Sequence, residues 1–480
     1  MPGQRIAPGP AGLIALLLFL SSAVFHGSLV AAETDGATQQ QPSTAWDIPR
    51  GAVRDFGEAP PIPAGELTPG LKAAVDTAFG DLASTGWREA QIEALATVAA
   101  SGDPRLAWII SDLSRIVTDR GLAGELAGAA GRLMGIDIPL GNHWGIMVDH
   151  LIAWDVPAPP GYLDIKRGIY ALVLPATDRL FVPGDIDWRH VSWGGVLVDD
   201  RPFGETDQAC NCIPAADNPG VSKAAQANWL KDDDIVFGIG INGEYRAYPR
   251  RIMEVREMIN DTLGGRDLGI PYCTLCGSAQ AYLTDQVPAG IQRPVLRTSG
   301  LLIRSNKVMF DLNTFSVFDT FTGEAVTGPL AERGVALNQV SVVTTSWGEW
   351  KAAHPNTTVL VEELALGRDF DFRNNRDANG PIFPIGDVDP RLPVQEDVLG
   401  VIAASGGAVA FHVATAKQLL QAGESIAYDN IRLELDGGGL RAVDDEGRDL
   451  GGHQAFWFAW SQFHPGTKLW PHDFAGAATR

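Results

Sequence analysis

At 480 residues the chain is too long for a single ordinary core, and a net charge of −21 disfavours nucleic acid or anionic lipid as partners. Only four cysteines are present, so stability must come from apolar burial and not from a disulfide framework. The 54 glycines and 31 prolines imply many turns and short elements.

The chain opens on Arg5, an apolar stretch from Gly12 to Phe25, and the small residues Val30-Ala31-Ala32, which together read as a secretory signal over residues 1–32. That apolar stretch is shorter than the roughly 20 residues needed to span a bilayer. An exported protein, periplasmic or extracellular, with no stable membrane insertion after cleavage, is therefore expected. Residues 33–65 are polar and proline-containing and read as a flexible linker. Residues 66–155 then read as a small helical domain. Thr68-Pro69 forms a capped helix start, followed by Leu71, Val75, Ala78, Phe79 and Leu82 at helical spacing. Ile92, Leu95 and Ala99, then Leu106, Ile109, Ile110, Leu113 and Ile116, continue the pattern as antiparallel helices.

Residues 156–480 change to short β-type runs between Gly, Pro, Asn and Asp turns, such as Ile169–Leu174, Ile235–Ile241, Val340–Thr345 and Val398–Ala403. Two of them echo each other. Asp234-Ile235-Val236, Asn242-Gly243 and Ala247-Tyr248 recur as Asp397-Val398-Leu399, Ser405-Gly406 and Ala410-Phe411. Each copy reads as strand, tight turn, strand and helix, the helices being Ile252–Ile259 and Thr415–Leu420. The expected fold is α+β: a helical domain, then a β-rich domain with duplicated hairpin-plus-helix units at about 230–330 and 395–470. This alignment sets Trp457 and Trp460 where Cys273 and Cys276 stand in the first copy.

The cysteines fall in two tight pairs, Cys210-Asn211-Cys212 and Cys273-Thr274-Leu275-Cys276-Gly277. The second lies between strand-like runs, as a metal knuckle would, where a thioredoxin-type site would run into a helix. Two converging thiolate pairs would satisfy zinc, and copper(I) accepts fewer soft ligands. Structural disulfides are the alternative. A direct Cys210–Cys212 bridge would be strained, so bridges are expected to cross between pairs. All four cysteines are expected in one cluster. Glu257, Asn260 and Asp261, at i, i+3 and i+4 on one helix face, would support it, with Arg256 close enough to favour a thiolate.

The segment from Cys212 to Trp470 resembles the bacterial family catalogued as domain of unknown function 3179. The resemblance rests on Ile213-Pro214-Ala215, Arg246-Ala247-Tyr248-Pro249, Asn260-Asp261, Tyr272-Cys273-Thr274-Leu275-Cys276, Ser299-Gly300-Leu301, Ser305-Asn306, Gly328-Pro329-Leu330 and Phe456-Trp457. It implies a fold unit and no reaction. Where the family is expected to carry His before the Glu of its Glu-x-x-Asn-Asp segment, this chain has Arg256. The Cys210–Cys212 pair is a further departure. The residues together point to transition-metal binding (zinc or copper) or thiol-redox work at the cysteines. The competing reading is a non-catalytic cell-envelope module that binds a small ligand or protein partner, braced by structural disulfides.

Overall fold

The computed structural model describes residues 48–205, 210–361 and 381–474. The signal segment and the first part of the linker lie outside the described residues. Over these residues the chain is mixed α+β, with a helical region followed by five sheets in a propeller-like arrangement.

The helices are α1 (Pro69–Phe79), α2 (Leu82–Thr85), α3 (Glu89–Ala100), α4 (Ala107–Ile116), α5 (Arg120–Met134), α6 (His143–Ala153), α7 (Tyr162–Tyr170) and α8 (Thr177–Leu180). Local chemistry sets their ends. The Thr68 hydroxyl accepts from the Leu71 N–H at 3.3 Å ahead of Pro69, and Gly135 closes α5 in the left-handed conformation. Helix α7 occupies the start of a run read from sequence as a strand, Ile169–Leu174. It buries Tyr162, Lys166, Ile169 and Tyr170 at helical spacing, a period that a short apolar run does not reveal.

Of the linker, residues 48–57 lie against the body: Gly51 N–H bonds the Pro390 carbonyl at 3.0 Å, and Arg54 pairs with Asp149 at 2.7 Å. The helical region is also not packed apart. Its core runs from Val75 through Trp108 and Tyr170 into Leu301, Val308, Phe310 and Val317 of the first sheet. Lys166, fully buried, spans this junction, donating to Asp112 Oδ1 at 2.7 Å and the Val191 carbonyl at 2.6 Å.

That first sheet orders β1 (Val191–Trp193), β10 (Leu296–Ile303), β11 (Asn306–Asp311) and β12 (Val317–Asp319). A second contains β13 (Asn338–Val340), β9 (Ala281–Leu283), β7 (Arg266–Cys273), β6 (Met258–Leu263) and β2 (Ala216–Asp217), with β8 (Ser278–Ala279) on β7. The third runs β14 (Val343–Ser346), β4 (Ile235–Ile241), β5 (Glu244–Pro249), β15 (Thr358–Leu360) and β3 (Val221–Lys223). A fourth runs β21 (His453–Phe456), β16 (Asp397–Ile402), β17 (Ala408–His412) and β22 (Lys468–Trp470), and the last β18 (Ile426–Tyr428), β19 (Ile431–Asp436) and β20 (Gly439–Val443). Among them lie α9 (Arg250–Arg256), α10 (Gly328–Glu332), α11 (Trp347–Ala353), α12 (Val413–Gln421) and α13 (Trp457–Phe463).

The third and fourth sheets share strand order and sense. In each, a central hairpin takes one antiparallel strand on its first member and one parallel strand on its second. Trp350 of α11 lies against Gly238 and donates to Thr357 Oγ1 at 3.0 Å; Trp460 of α13 lies against Gly400 and donates to Thr467 Oγ1 at 2.9 Å. Trp460 therefore corresponds to Trp350, which corrects its expected alignment with Cys276.

A Cβ at Gly238 or Gly400 would enter the indole ring it faces. Gly238→Ala and Gly400→Ala should each destabilise the fold by about 1–3 kcal/mol. Urea denaturation checks this, and an unchanged midpoint in either variant would contradict the packing.

Candidate functional site

Strand β7 ends at Cys273, and the chain turns back as β8, the Cys276 N–H closing the turn on the Cys273 carbonyl at 3.2 Å. Gly277 makes the reversal in the left-handed region, with no room for a side chain beside the Phe456 ring. Cys276 carbonyl also accepts the Phe456 N–H at 2.8 Å, so the turn is seated on the fourth sheet. Both sulfurs are buried and reduced, and both face the Ser305 carbonyl, at 3.8 Å from Cys273 and 3.4 Å from Cys276.

The two thiols are not equivalent. Burial, and then the hydrogen bond it shares with Cys273, pushes the Cys276 thiol well above the ordinary range. Burial and, less strongly, the Glu257 charge oppose ionisation of Cys273 as well. There the bond from Cys276, the Lys307 backbone N–H and the Lys307 ammonium outweigh both and hold the thiol below the ordinary range. Lys307 is fixed by Glu257: its Nζ lies 3.0 Å from Glu257 Oε2 and donates to the carbonyls of Glu257 at 2.5 Å and Tyr272 at 3.2 Å. Thr274 Oγ1 donates to Glu257 Oε1 at 3.2 Å. Two further buried hydroxyls, Ser305 Oγ and Ser278 Oγ, have no protein partner.

Of the supporting residues read from sequence, Glu257 is at the sulfurs and two are elsewhere. Helix α9 stops at Arg256 because Glu257 takes a left-handed conformation, φ 48°, and β6 begins at Met258. Asn260 and Asp261 therefore lie on a strand, on opposite faces, and not on one helix face. Asn260 bonds Asp217 at 2.9 Å and the Leu296 carbonyl at 3.0 Å. Asp261 takes Arg246 at 2.5 Å and the Tyr248 hydroxyl at 2.8 Å. The cation acting on Cys273 is Lys307 and not Arg256. Its signal was a lone lysine ahead of the apolar Val308-Met309-Phe310, a position where a charge needs a buried partner.

The four cysteines do not form one cluster. Cys210 and Cys212 are joined to each other by a disulfide, which corrects the expectation of cross-pairing. A bend at Asn211 draws their Cα atoms to 5.1 Å, inside the range a disulfide accepts. Among the described residues, the one gathered group of metal-type ligands is Asp199, Cys210 and Cys212, with ligand atoms within 4.8 Å of one another. It does not suit a cation as it stands. Asp199 is held by Arg201 at 2.6 and 2.7 Å and by the Ala215 N–H at 2.9 Å, and the bridged sulfurs are not thiolates. A four-thiolate zinc site is not formed.

Replacing Lys307 by Met would leave the buried Glu257 carboxylate without its cation. Lys307→Met should cost about 3–5 kcal/mol of stability, and Cys273 should ionise at higher pH than in the parent. Chemical denaturation and ultraviolet titration of thiolate absorbance read the two effects. Unchanged stability and titration would contradict the role given to the pair.

No curated protein and no solved structure matches the chain. A family described as a protein of unknown function, DUF3179, matches residues 210–451, a span that holds both cysteine pairs, Glu257 and Lys307. The chain belongs to that family of unknown function.

Proposed function

We propose that the protein is an exported thiol–disulfide reagent whose working couple is Cys273 and Cys276. The observation that carries this reading is geometric: two unbridged thiols at one turn, both facing the Ser305 carbonyl, with the Lys307 charge favouring the Cys273 thiolate while burial disfavours that of Cys276. Cys273 thiolate attacks a substrate disulfide and expels one half as thiolate. Cys276 gives up its proton to that leaving group and attacks the Cys273 sulfur, releasing the second half. The pair is oxidised to a disulfide, and the substrate disulfide is reduced to its thiols.

The signal-like segment of residues 1–32 supports export, and among the described residues no helix is long and apolar enough to cross a membrane. Of the metals considered, copper(I) is the ion that paired thiolates alone can hold, whereas among the described residues zinc lacks its remaining ligands at this pair. We also infer that the third and fourth sheets are copies of one unit, on the strength of their shared strand order and matched Trp–Gly contacts. In this reading the second copy supplies Phe456 as the seat of the cysteine turn.

Reduced protein mixed with a chromogenic aromatic disulfide should release both halves of the reagent as free thiol. Cys276→Ser should retain one half as a mixed disulfide on Cys273, and Cys273→Ser should react far more slowly. If the folded parent leaves the reagent intact while the unfolded chain consumes it, the pair is structural.

A further inference from the structure

Beside the cysteine turn lies a cleft of about 670 Å³, lined by His190, Arg304, Asp319, Asp387, Val388 and Phe463 among others. Arg304 immediately precedes Ser305, whose carbonyl faces both sulfurs. Phe463 stacks on Phe321 at 4.6 Å, and Phe321 shares a core cluster with Cys273 and Cys276. Phe463 and Phe321 thus join the cleft to the apolar core in which both sulfurs are buried.

The charges of this cleft do not neutralise one another. Arg304 donates from Nε to His190 Nδ1 at 3.2 Å, with Nη2 3.4 Å from His190 Nε2. Burial, with the Arg304 charge second, lowers His190 to about 3, so the imidazole is neutral at physiological pH. Asp187, whose carboxylate lies 3.6 Å from His190 Nδ1, is the carboxylate that acts most on Arg304, but among the described residues none lies within ion-pair distance of the guanidinium. Asp319 accepts the N–H groups of Phe321 and Thr322 on Oδ1, at 2.7 and 3.2 Å; its Oδ2 has no partner and no cation is within reach. Asp387 uses one oxygen on the Val388 N–H, while Asp389 is taken by Arg391. Partly buried charges are ordinarily paired. Here the Arg304 guanidinium and the Asp319 carboxylate, both partly buried, face one space without an ion-pair partner, with apolar Val388 and Phe463 beside them, whereas Asp387 is exposed.

We propose that the cleft admits a small zwitterionic disulfide of the amino-acid type to the Cys273–Cys276 couple, its carboxylate on Arg304 and its ammonium on Asp319. This assignment of substrate class rests on the dithiol reading above, and the exchange is the one balanced there. Arg304 and Asp319 select the ligand, and apolar Val388 and Phe463 receive its sulfur-bearing centre.

Three disulfides separate the charges: cystine carries both, cystamine only ammonium, and 3,3′-dithiodipropionate only carboxylate. Oxidation of the reduced parent, followed by mass spectrometry after alkylation, should be fastest with cystine. Arg304→Gln should slow cystine and dithiodipropionate about tenfold more than cystamine, and Asp319→Asn should slow cystine and cystamine about tenfold more than dithiodipropionate, the scale of one charged hydrogen bond. Variants that slow all three equally, or none, overturn the cleft as the binding site. Calorimetry with cystathionine, a thioether zwitterion that cannot be reduced, reads the cleft without the redox step. Binding to the parent that is weakened in both variants supports the cleft even if no disulfide oxidises the couple, which would refute the dithiol reading alone. Absent cystathionine binding together with charge-blind oxidation refutes the cleft alone.

Discussion

Lys307 and Glu257 form the contact on which the sulfur site depends, and each is brought there by a backbone that had to be bent. Glu257 ends α9 and starts β6 in a left-handed conformation that costs a non-glycine residue of order 1–3 kcal/mol. Lys307 comes from β11 in a different sheet, just after the Arg304–Ser305 reversal, whose residues both have positive φ. The ammonium pairs with the Glu257 carboxylate at 3.0 Å and donates to the carbonyls of Glu257 and Tyr272. One side chain thus ties the end of α9, the last turn of β7 and the start of β11. The same charge favours the Cys273 thiolate.

The remaining elements secure that junction from other directions. The fourth sheet offers Phe456 beneath Gly277, and its helix α13 adds Phe463 to the wall of the neighbouring cleft. The helical region backs the first sheet through Leu301, Val308 and Phe310, and so fixes the hairpin that holds Ser305 and Lys307. His190, at the junction between helices and sheet, bonds Arg304 from its backbone carbonyl at 3.2 Å as well as from its ring. The helices act on the site through the packing of one hairpin.

How much of this was legible in the sequence follows from range. Local signals held: the Thr68-Pro69 start of α1, the strands at Ile235 and Val398, and a turn at Cys273–Cys276 between strands all have neighbours along the chain as their cause. The helix expected over Ile252–Ile259 failed at Glu257, where contacts with Lys307 and Thr274 hold a backbone conformation that propensity alone disfavours. With that break, Asn260 and Asp261 moved to a strand and found other partners. Lys307, fifty residues on from Glu257, signalled the need for a buried partner but not which one, since nothing local says which strand will lie beside it. The Cys210–Cys212 bridge was misjudged because spacing alone does not show a bend. The expected single sulfur cluster then had no second pair of thiols to draw on.

The central claim is that Cys273 and Cys276 form a redox couple that the folded protein keeps poised. Equilibration in buffers of graded thiol-to-disulfide ratio, followed by alkylation and peptide mass spectrometry, measures it directly. The account predicts one reversible two-electron transition joining Cys273 to Cys276, separate from that of Cys210 and Cys212, in a chain that stays folded throughout. A pair that remains unoxidised until the protein unfolds would contradict it.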